Sequence, residues 1–362
     1  MTTAARLPRD LHPVAWWVWA LGLCAAATFT TNPFILLMLV GVAAFVVSLR
    51  RSDQPWGRSF RLYLWLGGVI VGIRVVFWIV FGGWTGGRVL LDLPTVPLPS
   101  WVAGITLLGP LYAEALLFAV YDGMRLATIV ICVGAANSLA NPKRLLRSAP
   151  PALYEIGTAL VVAITVLPQF AESARRVRAA QSLRAGEPGR VLRLRRFLVP
   201  VLEDALERSL ALAAGMDTRG YGRTSGATKA QRRVTGTLML VGLGGICVGT
   251  YAVLDGTAPR VLALPMVGLG ISAAVAGLLS AGRRVERSRY RPDPWRWPEL
   301  VVIASGIAVG AVGWWISRNQ VEVAYPALDA LPPVSGAALL LALLALVGPL
   351  ATPPPRLVGV TA

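Results

Sequence analysis

Histidine occurs once in this 362-residue sequence, lysine twice and cysteine three times, and each scarcity removes a class of chemistry. With His12 alone there is no H-E-x-x-H zinc-protease helix; packing or capping at the first helix start is its expected role. Cys24, Cys132 and Cys247 lie in separate apolar runs, odd in number and without C-x-x-C spacing, so neither a disulfide framework nor a zinc site is encoded. Lys143 stands in Asn-Pro-Lys-Arg and Lys229 in Ala-Thr-Lys-Ala, so no Walker lysine follows a glycine-rich phosphate loop. Any ATP must be hydrolysed by another chain. A D-D-x-x-D pair for magnesium diphosphate is missing too, which counts against a membrane-embedded transferase. Charge itself is scarce at 15%, and acidic residues number 18 against 35 basic ones.

What the chain does contain is apolar residues, 55% of the total at a mean hydropathy of +0.62, which excludes an ordinary soluble domain. A spanning helix needs about 20 mostly apolar residues, and candidates lie at 14–30, 33–49, 62–82, 111–139, 152–170, 234–254, 261–281, 299–317 and 333–351. The expected class is therefore all-α, a polytopic membrane protein. Arg6 and Arg9 before the first run resemble a signal peptide, but a second run follows directly after Thr31-Asn32-Pro33, so an uncleaved first helix is expected.

Basic residues in short loops concentrate on the cytoplasmic side. If every run but 152–170 spans, one set of loops collects the arginines: 140–233 holds 17 basic and 7 acidic residues, and 282–298 holds six arginines with Glu286 and Asp293. The opposite loops carry only Arg88, Asp92, Asp255, Arg260, Arg318, Glu322 and Asp329. A crossing at 152–170 would invert everything after it, so that run, with Glu155, Gly157 and Pro168, is expected to lie at the inner interface. The count is eight spans with both termini inside, and the excess charge has a membrane explanation that needs no nucleic acid. Glycines such as Gly242, Gly244, Gly245, Gly268 and Gly270 suit close helix packing. Within the 111–139 run, Asp122 and Arg125 are spaced i, i+3 for a pair, whereas Glu114 is three turns from Arg125. Arg74 is the one isolated intramembrane charge and a weak site candidate for a pathway or a partner.

A 94-residue insertion over 140–233 exceeds ordinary connection lengths. Its first working helix ends at Leu183-Arg184-Ala185-Gly186; a second, expected to begin near Pro200, ends at Thr218-Arg219-Gly220. The second places Leu202, Ala205, Leu206, Ser209, Ala213 and Met216 on one face, and Asp204 and Arg208 at i, i+4. Two helix tips thus each present an arginine before a glycine stop. An arginine fork suits a carboxylate-lined groove on a partner, although an arginine in a last turn also complements the macrodipole.

These residues carry a resemblance. Leu11-His12-Pro13, Thr31-Asn32-Pro33, Ile105-Thr106 and, more specifically, "FAESARRVRAAQSLRAG" (170–186) followed by "MDTRGYG" (216–222) resemble the transmembrane T component of energy-coupling factor transporters, the family that includes the cobalt-transport membrane subunit. The likeness covers roughly residues 11–255. The first motif reads Leu-Arg-Ala where Ala-Arg-Gly is more usual, and three spans follow the fifth.

The resemblance implies that Leu183, Arg184, Ala185, Thr218, Arg219 and Gly220 dock into two ABC-type ATPase subunits, which would bind the ATP and magnesium. It implies a second partner, a small membrane substrate-binding subunit, and a multi-pass location in the bacterial cytoplasmic membrane. This chain would be non-catalytic, with no cofactor or metal of its own, and the vitamin or transition-metal ion imported would be chosen by the other subunit. The expected organisation is four helices over 1–139, the coupling module 140–233, a fifth span 234–254, and a C-terminal extension 255–362 peripheral to coupling. A self-sufficient secondary transporter is the alternative; it would show inverted repeats with broken helices, and none is visible.

Overall fold

The structure is a computed structural model and describes residues 9–51, 59–82, 86–97, 106–148, 153–183, 190–221, 228–255, 260–282, 293 and 295–354. All nine apolar runs are helical: α1 (Pro13–Thr28), α2 (Pro33–Arg50), α3 (Phe60–Phe81), α4 (Ala113–Leu139), α6 (Tyr154–Ser182), α8 (Lys229–Leu254), α9 (Arg260–Gly282), α10 (Trp297–Asn319) and α12 (Gly336–Leu350). Three further helices are α5 (Pro142–Arg147), α7 (Arg190–Thr218) and α11 (Val321–Ala324). Local sequence sets several starts. The Asn32 side chain accepts from the Phe34 amide at 3.0 Å with Pro33 at the first helical position, and Thr228 and Gln231 form a reciprocal capping box.

One boundary differs from the sequence expectation: helix α7 starts at Arg190 and runs through Pro200, just as α6 runs through Pro168 to end at Ser182, next to the expected stop. A proline removes one intrahelical bond and bends the helix, but good helix formers on both sides carry it on. The proline-rich connection before α4 also forms two short antiparallel ribbons, β1 (Val89–Asp92) with β4 (Pro110–Tyr112) and β2 (Val96–Pro97) with β3 (Thr106–Leu107).

By compactness the chain forms two units, residues 1–145 with 293–362 and residues 146–292, so the packing does not follow the chain-order divisions above. In the first unit α10 and α12 pack with α1, α2 and α4. Gly22, Gly306 and Gly313 let α1 and α10 touch backbone to backbone: a Cβ on Gly313 would lie 2.7 Å from the Ala26 Cα, and one on Gly22 would fall on the Gly306 carbonyl. Trp19 Nε1 donates to the Ala345 carbonyl at 3.0 Å. The C-terminal helices are thus part of the core built by Trp19, Leu23, Leu36, Leu39, Val302, Val309 and Leu341.

Both ends of the α1–α2 hairpin are clasped by the C-terminal segment. At one end the buried Asn32 donates from Nδ2 to the Val323 and Pro333 carbonyls at 2.8 Å each, and Thr30 Oγ1 donates to Ala324 O at 2.8 Å. At the other, Arg50 donates to the carbonyls of Pro353 at 3.1 Å and Leu350 at 3.2 Å, and Arg9 pairs with Glu299. His12 stacks on Trp295 with ring centroids 4.2 Å apart. Arg144 Nε meets Asp293 Oδ2 at 3.0 Å.

Among the described residues seven helices are long and apolar enough to cross a membrane, α8, α9 and residues Ile156–Ser182 of α6 among them, and α1 and α12 are apolar but shorter.

In the second unit, α6 and α7 run antiparallel, joined by a bond from Gln181 Nε2 to the Arg196 carbonyl at 2.6 Å. Helices α8 and α9 pack through Gly242, Gly245 and Gly270, where a Cβ on Gly242 would lie 2.6 Å from the Ala274 amide nitrogen. Gly244 and Gly268 meet nothing within 4 Å, so the expected packing role holds for only part of that set.

Candidate functional site

Helix α7 is 29 residues long, about 43 Å at ~1.5 Å per residue, and leads into Arg219 and Gly220 of the second arginine motif at its C-terminal end. Of the first motif, Leu183 is described and is 87% exposed; Arg184 and Ala185 lie outside the described residues.

The second motif is built by a glycine-closed helix end. The Tyr221 amide donates to the Met216 carbonyl at 3.0 Å and the Gly220 amide to Asp217 O at 2.9 Å, with Gly220 at φ +75°, the left-handed region that a side chain disfavours. Thr218 turns its hydroxyl back onto the Gly215 carbonyl at 3.0 Å. Arg219, next in line, is exposed and makes no ion pair or side-chain hydrogen bond among the described residues. The turn thus presents its guanidinium outward, available for a bidentate contact with carboxylates.

Between the motifs, Asp204 holds Arg208 at 3.0 Å, the expected i, i+4 pair, and faces Arg176 of α6 at 3.8 Å. Ser173 and then Arg208 beside it keep the Asp204 carboxyl below its ordinary range. The apolar face is largely unfilled: Leu202, Leu206 and Leu210 are each more than 60% exposed.

Arg74 needs a correction. It is not isolated, because it pairs with Asp122 of α4, whose other oxygen takes the expected bond from Arg125 at 2.8 Å. A partner 48 positions away has no local sequence signal. Glu114 accepts the Arg88 amide at 3.0 Å and stays apart from Arg125. Sequence reasoning also passed over the contact of Cys24 with α4, where its thiol donates to the Ile129 carbonyl at 3.6 Å.

Helices of this length and apolarity, packed into a bundle, define a multi-pass membrane protein. The model of the cobalt transport protein family, CbiQ, matches residues 4–230, and the chain belongs to that family, the T components of energy-coupling factor transporters. It is a membrane component for uptake of cobalt or other micronutrients. No curated protein matches the chain significantly.

Proposed function

We propose that this chain is the non-catalytic coupling subunit of an ATP-driven importer in the bacterial cytoplasmic membrane, with both termini inside. Arg184 and Arg219 dock into two cytoplasmic ATPases, which hold the ATP and magnesium, and a small membrane protein binds the vitamin or transition-metal ion. The observation that carries this reading is Arg219, exposed on a glycine-closed turn at the C-terminal end of the 29-residue helix α7 and without an ion pair among the described residues.

The test is substitution of both arginines. Truncating one side of a buried charge pair costs about 2–5 kcal/mol of association, whereas loss of a dipole interaction alone costs ~1 kcal/mol or less. Arg184→Ala and Arg219→Ala should each weaken co-purification of the ATPases, and together abolish uptake, with the chain still accumulating in the membrane. Lysine should rescue poorly, lacking the planar two-bond contact. Full assembly and uptake by the double variant would overturn the reading.

A further inference from the structure

The cluster formed by Arg74, Asp122 and Arg125 contains two guanidinium groups and one carboxylate. Both Asp122 oxygens are taken, one by each arginine, and its side chain is only 8% exposed, against 38% for Arg74 and 33% for Arg125. Neither arginine pairs with any other carboxylate among the described residues. Glu114, the nearest acid along α4, is eight residues away, about 12 Å at ~1.5 Å per residue, and accepts the Arg88 amide instead. One positive charge is left over.

Its depth makes that excess costly. Arg74 is seven residues before the end of α3, and Asp122 and Arg125 are nine and twelve residues after the start of α4. All three therefore lie roughly 10–18 Å in from the helix ends joined by the β-ribbon connection, well inside a hydrocarbon core about 30 Å thick. An unbalanced charge there costs several kcal/mol, and such residues face a protein partner or a cavity. The Arg74 guanidinium is tied to Asp122 and its Nε is buried without a hydrogen-bond partner, while a Cβ on Gly123 would lie 3.3 Å from the Arg74 Cβ, so α4 passes close beside it. It is therefore held at this depth instead of reaching toward the headgroups. A lipid phosphate sits above the core, too far out to balance the cluster. The open side belongs to α3, which buries only Phe60 and Gly67.

We propose that the Arg74–Asp122–Arg125 cluster is an intramembrane docking point for one carboxylate, an Asp or Glu on a transmembrane helix of the membrane partner. This rests on the reading above that such a partner exists. The partner's carboxylate neutralises the cluster, so it binds the seam between α3 and α4 at mid-depth.

The experiment uses the whole complex, purified through a tag on this chain in nanodiscs with and without phosphatidylglycerol, carrying wild type, Arg125→Gln or Arg74→Gln. Each variant should cut recovery of the membrane partner by about tenfold or more in either lipid, leave the ATPases bound, and leave the unfolding midpoint of the isolated chain unchanged or higher, since an excess desolvated charge has gone. One carboxylate in a partner transmembrane helix should give a neutral variant whose effect is non-additive with Arg125→Gln. Undiminished recovery of the partner, a lower midpoint with parallel loss of the ATPases, dependence on the anionic lipid alone, or additivity for every partner carboxylate would each overturn the proposal. If wild type recovers ATPases but no membrane partner, the partner assignment above fails and this inference with it; if wild type recovers the partner and both variants do equally well, this inference alone fails.

Discussion

The two compact units use their apolar residues in opposite ways. In residues 1–145 with 293–362, the large side chains Trp19, Leu36, Ile316 and Leu341 are almost wholly buried, glycines bring α1 and α10 together, and polar clasps hold both ends. In residues 146–292, the leucines of α7 stand exposed and its arginine tip is unpaired among the described residues. Helices α1, α2, α10 and α12 of the first unit satisfy one another, whereas α7 of the second leaves its surface for something else. Substitutions among those four helices should therefore act on folding, and those on α7 on assembly.

The largest test of that contrast is removal of residues 293–362. Although such a deletion leaves the recognisable motifs whole, it strips α10 and α12 from α1 and removes the acceptors of Asn32 and Arg50. The truncated chain should fail to accumulate in membranes, as measured by immunoblot of the membrane fraction; normal accumulation would erase the distinction between the units. Next comes Gly22→Leu, which forces a side chain into the Gly306 carbonyl. Overpacking of this kind costs about 1–3 kcal/mol or more, and detergent-solubilised protein should unfold at a clearly lower temperature. By contrast, Leu206→Ser in α7 should change stability by no more than about 0.5 kcal/mol while reducing partner recovery, since it touches a face that nothing within α7 fills.

The smallest effect concerns His12. Burial lowers its pKa below the ordinary 6.5, with Arg144 adding to the shift and Asp293 and Glu299 opposing it. A base with a lowered folded-state pKa contributes stability that is present above the unfolded value, about 6.5, and is lost as pH falls through the lower folded value. Unfolding midpoints should therefore drop on acidification below that range, and His12→Gln should flatten the drop.

How much was legible in the sequence follows the range of the interaction. Apolar runs, the helix stop at Gly220, and the pairs Asp122 with Arg125 and Asp204 with Arg208 are local, and each appears where spacing placed it. The start of α7 was misjudged by ten residues because proline is a strong but not absolute helix break when its neighbours favour helix. Arg74 with Asp122, Arg9 with Glu299 and Arg144 with Asp293 span 48 to 290 positions, and nothing in one chain's local pattern announces such partners. The assignment of 293–362 to the core failed to show for the same reason, since backbone contact between Gly22 and Gly306 depends on how helices are ordered around α1.

Arg144 against Asp293 has an evolutionary and practical meaning as well. The chain leaves the bundle and returns to it at neighbouring points, which is the geometry of a cassette spliced into a host. A scaffold with such a doorway can exchange one insert for another of different length or sequence, provided the replacement also begins and ends side by side. Grafting residues 146–292 onto a related scaffold, or closing the doorway with a short glycine-serine bridge, therefore becomes a construction problem with two junctions whose separation is set by a single 3.0 Å contact.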